Sequence, residues 1–124
     1  MTLLWVGLGG FLGANARYFL GRAILERVGA GFPWGTLAVN LTGAFLIGLI
    51  AEWLVLRQDA PDSWRLFLVV GVLGGYTTFS SYSLEIVALL RHEKVLRAMA
   101  YLLVSNVAGI ALCFLGVALA KRAS

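Results

Sequence analysis

Charge is scarce in this sequence. Only 13% of the 124 residues are charged, against roughly 25% in an ordinary soluble domain. A chain this short has too little interior to hide its apolar surface from water, which excludes an ordinary soluble globule. Cysteine is limited to Cys113, inside an apolar run; without a partner it forms no intrachain disulfide and says nothing of redox compartment. His92 is the sole histidine and has no ligand partners nearby in sequence. There is no Cys/His ligand pattern, no nucleophile elbow and no phosphate loop with a catalytic lysine, so no enzyme signature is present. The start, Met1-Thr2-Leu3-Leu4-Trp5, lacks a basic stretch ahead of the apolar run. That is unlike a cleaved signal peptide, and the first helix is expected to remain in the mature protein.

What is abundant is apolar surface: 60% of residues are hydrophobic and the mean hydropathy is +0.89. About 20 apolar residues span a bilayer as a helix. Four stretches qualify, at residues 3–20, 34–56, 66–90 and 98–120, joined by polar connections at 21–33, 57–65 and 91–97. Pro33 and Pro61 stand just ahead of the second and third stretches, where a missing N–H costs little. Trp34, Trp53 and Trp64 fall at the expected membrane boundaries. The reading is an all-α membrane protein of four transmembrane helices, a single domain over residues 1–124. The net charge of +4 lies between apolar runs and not on one continuous face. It therefore fits juxtamembrane anchoring better than nucleic-acid binding.

Fifteen glycines imply close helix packing, because small residues let backbones approach in lipid. Gly9/Gly13, Ala44/Gly48, Gly71/Gly75 and Gly116/Ala120 each have the small-xxx-small spacing, one pair per helix. Loop charges bear on orientation. With four spans, both termini and the second connection share one side, which carries Arg57, Arg65, Lys121 and Arg122. The other side carries Arg22, Arg27, Arg91, Lys94 and Arg97, with Arg17 near the interface. Orientation follows the Lys/Arg bias, and here the bias is nearly flat. Charge alone leaves two readings open: dual topology, with copies inserted both ways and paired antiparallel, or a fixed orientation set by something else.

The third span interrupts itself with Gly74-Gly75-Tyr76-Thr77-Thr78-Phe79-Ser80-Ser81-Tyr82-Ser83. Adjacent glycines weaken a helix, and Ser/Thr side chains can satisfy freed backbone groups. Irregular backbone at membrane depth survives only against protein or a water-filled cavity, and it exposes carbonyls, hard ligands suited to Na⁺. A Ser/Thr packing seam with a mild kink is the plainer alternative. Asn40 brings an amide into the second span that must be satisfied, either by a neighbouring helix or by an anion or water in a pore. Phe79 and Tyr82 share a helix face. Ring edges are positive and can touch a small anion, although two rings filling a core is the ordinary reading. Glu85, one turn past Ser81, is an intramembrane acid and so a functional candidate, or else a paired hydrogen-bonding group. Arg17 either snorkels to the interface or draws anions toward a vestibule.

The chain resembles the Fluc (CrcB) fluoride channels over its full length. Three motifs in order carry the resemblance: Gly10-x-x-Gly13-Ala14-x-x-Arg17-Tyr18, Gly35-Thr36-x-x-x-Asn40 and Gly74-Gly75-x-Thr77-Thr78-Phe79-Ser80. The resemblance implies passive fluoride export across the cell (inner) membrane by an antiparallel, dual-topology homodimer with two pores. It further implies a structural Na⁺ held at the dimer centre by the backbone carbonyls of Gly74 and Thr77. Asn40, Phe79 and Tyr82 fall where the family lines its pore, with Thr78, Ser80 and Ser81 beside them and Tyr101 and Ser105 as candidates for a polar track. Where the family usually has Phe, this chain has Tyr82. The competing class is a proton-coupled small multidrug transporter, also four short helices. Such proteins carry a membrane-embedded Glu in the first helix, and residues 3–20 contain no acid.

Overall fold

The computed structural model describes residues 1–123. Its helices are α1 (Thr2–Val28), α2 (Trp34–Leu56), α3 (residues 62–76), α4 (Phe79–Arg91) and α5 (Val95–Ala123). Helices α3 and α4 are the two halves of one rod, parted at Thr77 and Thr78, where the backbone is extended. The described residues thus form four rods, with the expected break in the third.

Trp34–Leu56, Asp62–Arg91 and Val95–Ala123 are long and apolar enough to cross a membrane, which makes this a multi-pass membrane protein. Of the four expected spans, the first rod is the least apolar. Helix α1 has 27 residues, about 40 Å at 1.5 Å per residue, yet it is not among the three apolar spans. Its glycines, Asn15 and Arg17 dilute its hydropathy, and Arg22, Glu26 and Arg27 lie on its last two turns.

The connections are also shorter than hydropathy suggested. Helix α1 continues past Leu20 because 21–28 still favours helix, with an exposed Arg22–Glu26 pair one turn apart at 2.9 Å. It stops at Gly29, whose φ of 80° only glycine adopts freely and whose N–H bonds to Leu25 C=O at 2.9 Å. The α4–α5 connection shrinks to residues 92–94, where Glu93 takes a left-handed φ of 58° and Lys94 N–H reaches Leu89 C=O at 2.8 Å. The 57–61 loop is held by aromatics: Trp53 and Trp64 stack with centroids 5.8 Å apart, and the Arg57 guanidinium lies 4.7 Å over the Trp53 ring.

One feature had no sequence forewarning. Arg65–Leu73 is π-helical, a rare geometry that clusters at functional sites.

Burial follows glycine more than hydrophobicity. The outer surface is rich in large apolar side chains, Leu3, Phe11, Phe19 and Phe114 among them, as lipid-facing helices require. Two seams run backbone to backbone. In the α1–α3 seam, Gly9 meets the Phe67 carbonyl, Gly13 meets Val72 and Gly75 meets Gly10. In the α2–α5 seam, Gly48 meets the Cys113 carbonyl and Gly116 meets Phe45. The expected small-residue spacings therefore do pack helices together. The buried side chains Leu37, Tyr82, Leu89, Ala98 and Tyr101 form a small core where α2, α4 and α5 meet.

A methyl group on Gly48 has no space, since the Cys113 carbonyl occupies it, whereas Gly7 faces open space. Gly48→Ala should destabilise the protein by about 1–3 kcal/mol, the usual cost of overpacking. Gly7→Ala should be neutral or slightly stabilising. Thermal unfolding of the two variants in the same detergent checks the contrast.

Candidate functional site

The break between α3 and α4 arises from local chemistry. Gly74 and Gly75 disfavour helix, and Thr78 is a good N-cap for a new one. Its Oγ1 accepts from Ser81 N–H at 3.1 Å, and the same Oγ1 lies 3.4 Å from Ser80 Oγ. Thr77 closes α3, with both its N–H and its Oγ1 donating to Leu73 C=O at 3.1 Å.

Asn40 spans the gap from α2. Its Oδ1 accepts from Thr78 N–H at 2.8 Å, and its Nδ2 donates to Thr78 C=O at 3.0 Å. The side-chain amide thus pairs with the backbone N–H and C=O of one residue, as a neighbouring strand would. Of the two partners left open by the sequence, the neighbouring helix rod is the one the geometry supplies. The pairing uses one of the two Nδ2 protons and leaves the other available.

Four carbonyls at the end of α3, those of Gly74, Gly75, Tyr76 and Thr77, lose the N–H partner that a continuous helix would supply. A continuous helix would send Thr78 N–H to Gly74 C=O, but that proton goes to Asn40. It would likewise send Ser81 N–H to Thr77 C=O, but that proton goes to Thr78 Oγ1. Gly74 and Thr77 thus carry two of the freed carbonyls. Gly75 C=O is engaged instead by Arg17, whose Nε donates to it at 3.2 Å. A guanidinium at the end of α3 also complements the negative end of the helix dipole.

Two clefts meet at the break. One, about 330 Å³, is lined by Asn40, Gly43, Thr77, Thr78, Phe79, Tyr82, Ser105 and Asn106 among others, and among the described residues no charged side chain lines it. The second is lined by Arg17, Arg22, Thr36, Thr78 and Ser81 and is cationic. Thr78 belongs to both. The structure therefore groups Asn40, Thr77, Thr78, Phe79, Tyr82 and Ser105 in one cleft, and sends Ser81 and Arg17 to the other. Ser80 is exposed beside the break.

Aromatic rings run along this region in sequence. Phe79 and Tyr82 are 5.7 Å apart between centroids; Tyr82 and Tyr101 are 5.1 Å apart and edge-to-face; Tyr101 and Phe32 are 5.6 Å apart and edge-to-face. Tyr101 is fully buried, while Phe79 is 78% exposed on the single chain. The Tyr101 hydroxyl and Ser105 Oγ, four residues apart on α5, are buried without a hydrogen-bond partner. Buried hydroxyls left so in a protein interior usually serve water or a polar guest. Glu85 accepts from Thr36 Oγ1 at 2.6 Å and borders a third cleft that also includes His92 and Lys94.

Sequence reasoning passed over Asn106, which donates from Nδ2 to Tyr82 Oη at 2.9 Å and to Leu102 C=O at 2.8 Å. The signal was available, since an amide in an otherwise apolar span is as conspicuous as Asn40. It also missed Thr42, whose Oγ1 lies 2.8 Å from the Tyr76 hydroxyl.

Residues 4–117 match the family described as CrcB-like protein, Camphor Resistance (CrcB). The chain belongs to the CrcB family. Among CrcB relatives, a protein of Rhizobium meliloti (strain 1021) is 47% identical over 119 residues, covering 96% of this chain and 95% of its own length. One from Chlorobium phaeobacteroides (strain BS1) is 50% identical over 120 residues, covering 97% and 93%. One from Xylella fastidiosa (strain 9a5c) is 46% identical over 115 residues, covering 93% and 80%. Each of the three is named a fluoride-specific ion channel FluC.

Asn40→Ala would leave both backbone polar groups of Thr78 without their partner. It should cost about 2–6 kcal/mol, at roughly 1–3 kcal/mol for each of the two unsatisfied groups. Asn40→Asp, which keeps the acceptor for Thr78 N–H but faces Thr78 C=O with a second oxygen, should fall between. Unfolding midpoints of the three proteins in one detergent give the order.

Proposed function

We propose that this CrcB-family chain is a fluoride channel of the inner membrane, carrying the ion passively down its electrochemical gradient. The observation that carries the reading is the uncharged cleft at the helix break, where amide and hydroxyl donors stand beside aromatic ring edges. A small, strongly hydrated anion needs its water replaced by several donors at close range. Neutral donors can do this without the deep trap a buried cation would make, since conduction requires an ion to leave as well as enter. Asn40 offers its remaining Nδ2 proton, Thr78 and Ser80 offer hydroxyls, and Phe79 and Tyr82 offer positive edges. Tyr101 and Ser105 supply the unpartnered hydroxyls beyond. The Arg17 cleft, with Ser81 in it, gathers anions ahead of the narrow part. The names of the relatives point the same way.

The working unit in this proposal is an antiparallel, dual-topology homodimer. Its support is that one chain leaves Phe79 78% exposed beside the cleft, so that a second copy is needed to wall in the path. The nearly even loop charges support the same arrangement. Na⁺ is its structural ion. The Gly74 and Thr77 carbonyls fit a hard cation in chemistry, and two per chain make half of a four-oxygen shell that a two-fold partner completes. Such an ion would stiffen the interface and raise the potential for anions nearby.

The proton-coupled transporter is the less favoured reading. Helix α1 places no acid before Glu26, and Glu85 is already held by Thr36.

Liposomes containing only this protein and a fluoride gradient should develop a fluoride diffusion potential. For a perfectly selective path it approaches about 59 mV per tenfold gradient, and its sign should not follow an imposed pH gradient. Chloride should pass poorly. Phe79→Ile should cut fluoride flux at least roughly tenfold, the scale of one lost contact of about 1.4 kcal/mol. Fixed proton stoichiometry, or equal chloride permeability, would instead establish the transporter or a non-selective pore.

A further inference from the structure

The bond between Asn106 and Tyr82 has a direction that chemistry alone decides. Asn106 Nδ2 lies 2.8 Å from Leu102 C=O, which accepts hydrogen bonds and cannot donate. The amide must therefore present its NH₂ there, which fixes its orientation. The second proton of that NH₂ points to Tyr82 Oη at 2.9 Å, so the phenol oxygen is the acceptor in that bond. The phenol proton is left over. Among the described residues, no acceptor for it lies within hydrogen-bond distance. Tyr82 is 92% buried by its residual exposure of 8%, and both it and Asn106 line the uncharged cleft with Asn40 and Thr78.

We propose that the Tyr82 hydroxyl is an anion-binding donor in this cleft and that Asn106 is its positioning residue. An amide donating into the phenol oxygen polarises the O–H and denies it the option of turning back on α5. The proton is thereby committed to a guest in the cleft. The guest class is a small anion of high hydrogen-bond basicity, and fluoride is the best such acceptor among the halides. This deepens the fluoride reading and rests on it: Tyr82 then supplies a charge-assisted O–H bond as well as the ring edge that a phenylalanine there would offer.

The test reads half-saturating fluoride concentration and maximal flux separately, in liposomes holding the full-length protein, for wild type, Tyr82→Phe, Asn106→Leu and the double variant. Tyr82→Phe should raise the half-saturating concentration about tenfold, the scale of one charge-assisted bond. Asn106→Leu, at an exposed helix position, should raise it about threefold because the freed hydroxyl samples other directions. In the Tyr82→Phe background, Asn106→Leu should add nothing. An unchanged half-saturation in Tyr82→Phe, or an equal Asn106→Leu shift with and without the phenol, would overturn the proposal. A wild-type protein that carries no fluoride would fail the channel reading itself, and wild-type conduction with unaltered variants would fail only this inference.

Discussion

Two hydrogen bonds between the Asn40 amide and the backbone N–H and C=O of Thr78 make the rest of the site possible. A backbone group left without a partner in hydrocarbon costs several kcal/mol, so an unsupported gap in a transmembrane helix would close. Asn40 satisfies the backbone donor and the backbone acceptor of one residue at once. Once Thr78 is held, its side chain is positioned to cap α4, its own N–H no longer reaches Gly74, and the rings of Phe79 and Tyr82 leave the helix start at fixed heights. Caps, free carbonyls and ring positions are all consequences of one side chain on a different rod.

The glycine seams give that clamp a firm footing. Helix α1 lies directly on α3, and α2 on α5, with backbone atoms filling the places that side chains would take. The chain is in effect two thin plates. Asn40 belongs to the α2–α5 plate and Thr78 to the end of the other, so the amide joins the plates as well as bridging the break. The uncharged cleft opens between them, lined from α2, α4 and α5.

Much of this was legible in the residues. The Gly-Gly and Ser/Thr run marked the break because helix propensity and side-chain competition act locally, and small-residue spacing marked both seams for the same reason. Rod boundaries were less legible. Hydropathy reports where lipid is tolerated, whereas α1 is helical eight residues past Leu20 through charged, amphipathic sequence. The partner of Asn40 could not be read, because Thr78 is 38 positions away. Nor could the π-helical stretch at Arg65–Leu73, whose apolar residues look like those of any other span. Tyr82 was conspicuous as a ring, but its hydroxyl acquires meaning only beside Asn106, which lies on another helix.

Helix α4 is anchored at its two ends and packed lightly between. Asn40 and Thr78 secure its start, and the turn at Glu93 and Lys94 secures its finish. Along its length it rests mainly on α5, lies only lightly on α2, and leaves Phe79 and Leu84 78% and 70% exposed. Local unfolding free energy tracks buried contact, so the ladder of backbone hydrogen bonds in α4 opens more cheaply than that of α2 or α5. The helix that carries the rings is accordingly the one whose backbone protons exchange first, and the one whose local stability changes most when another surface covers it.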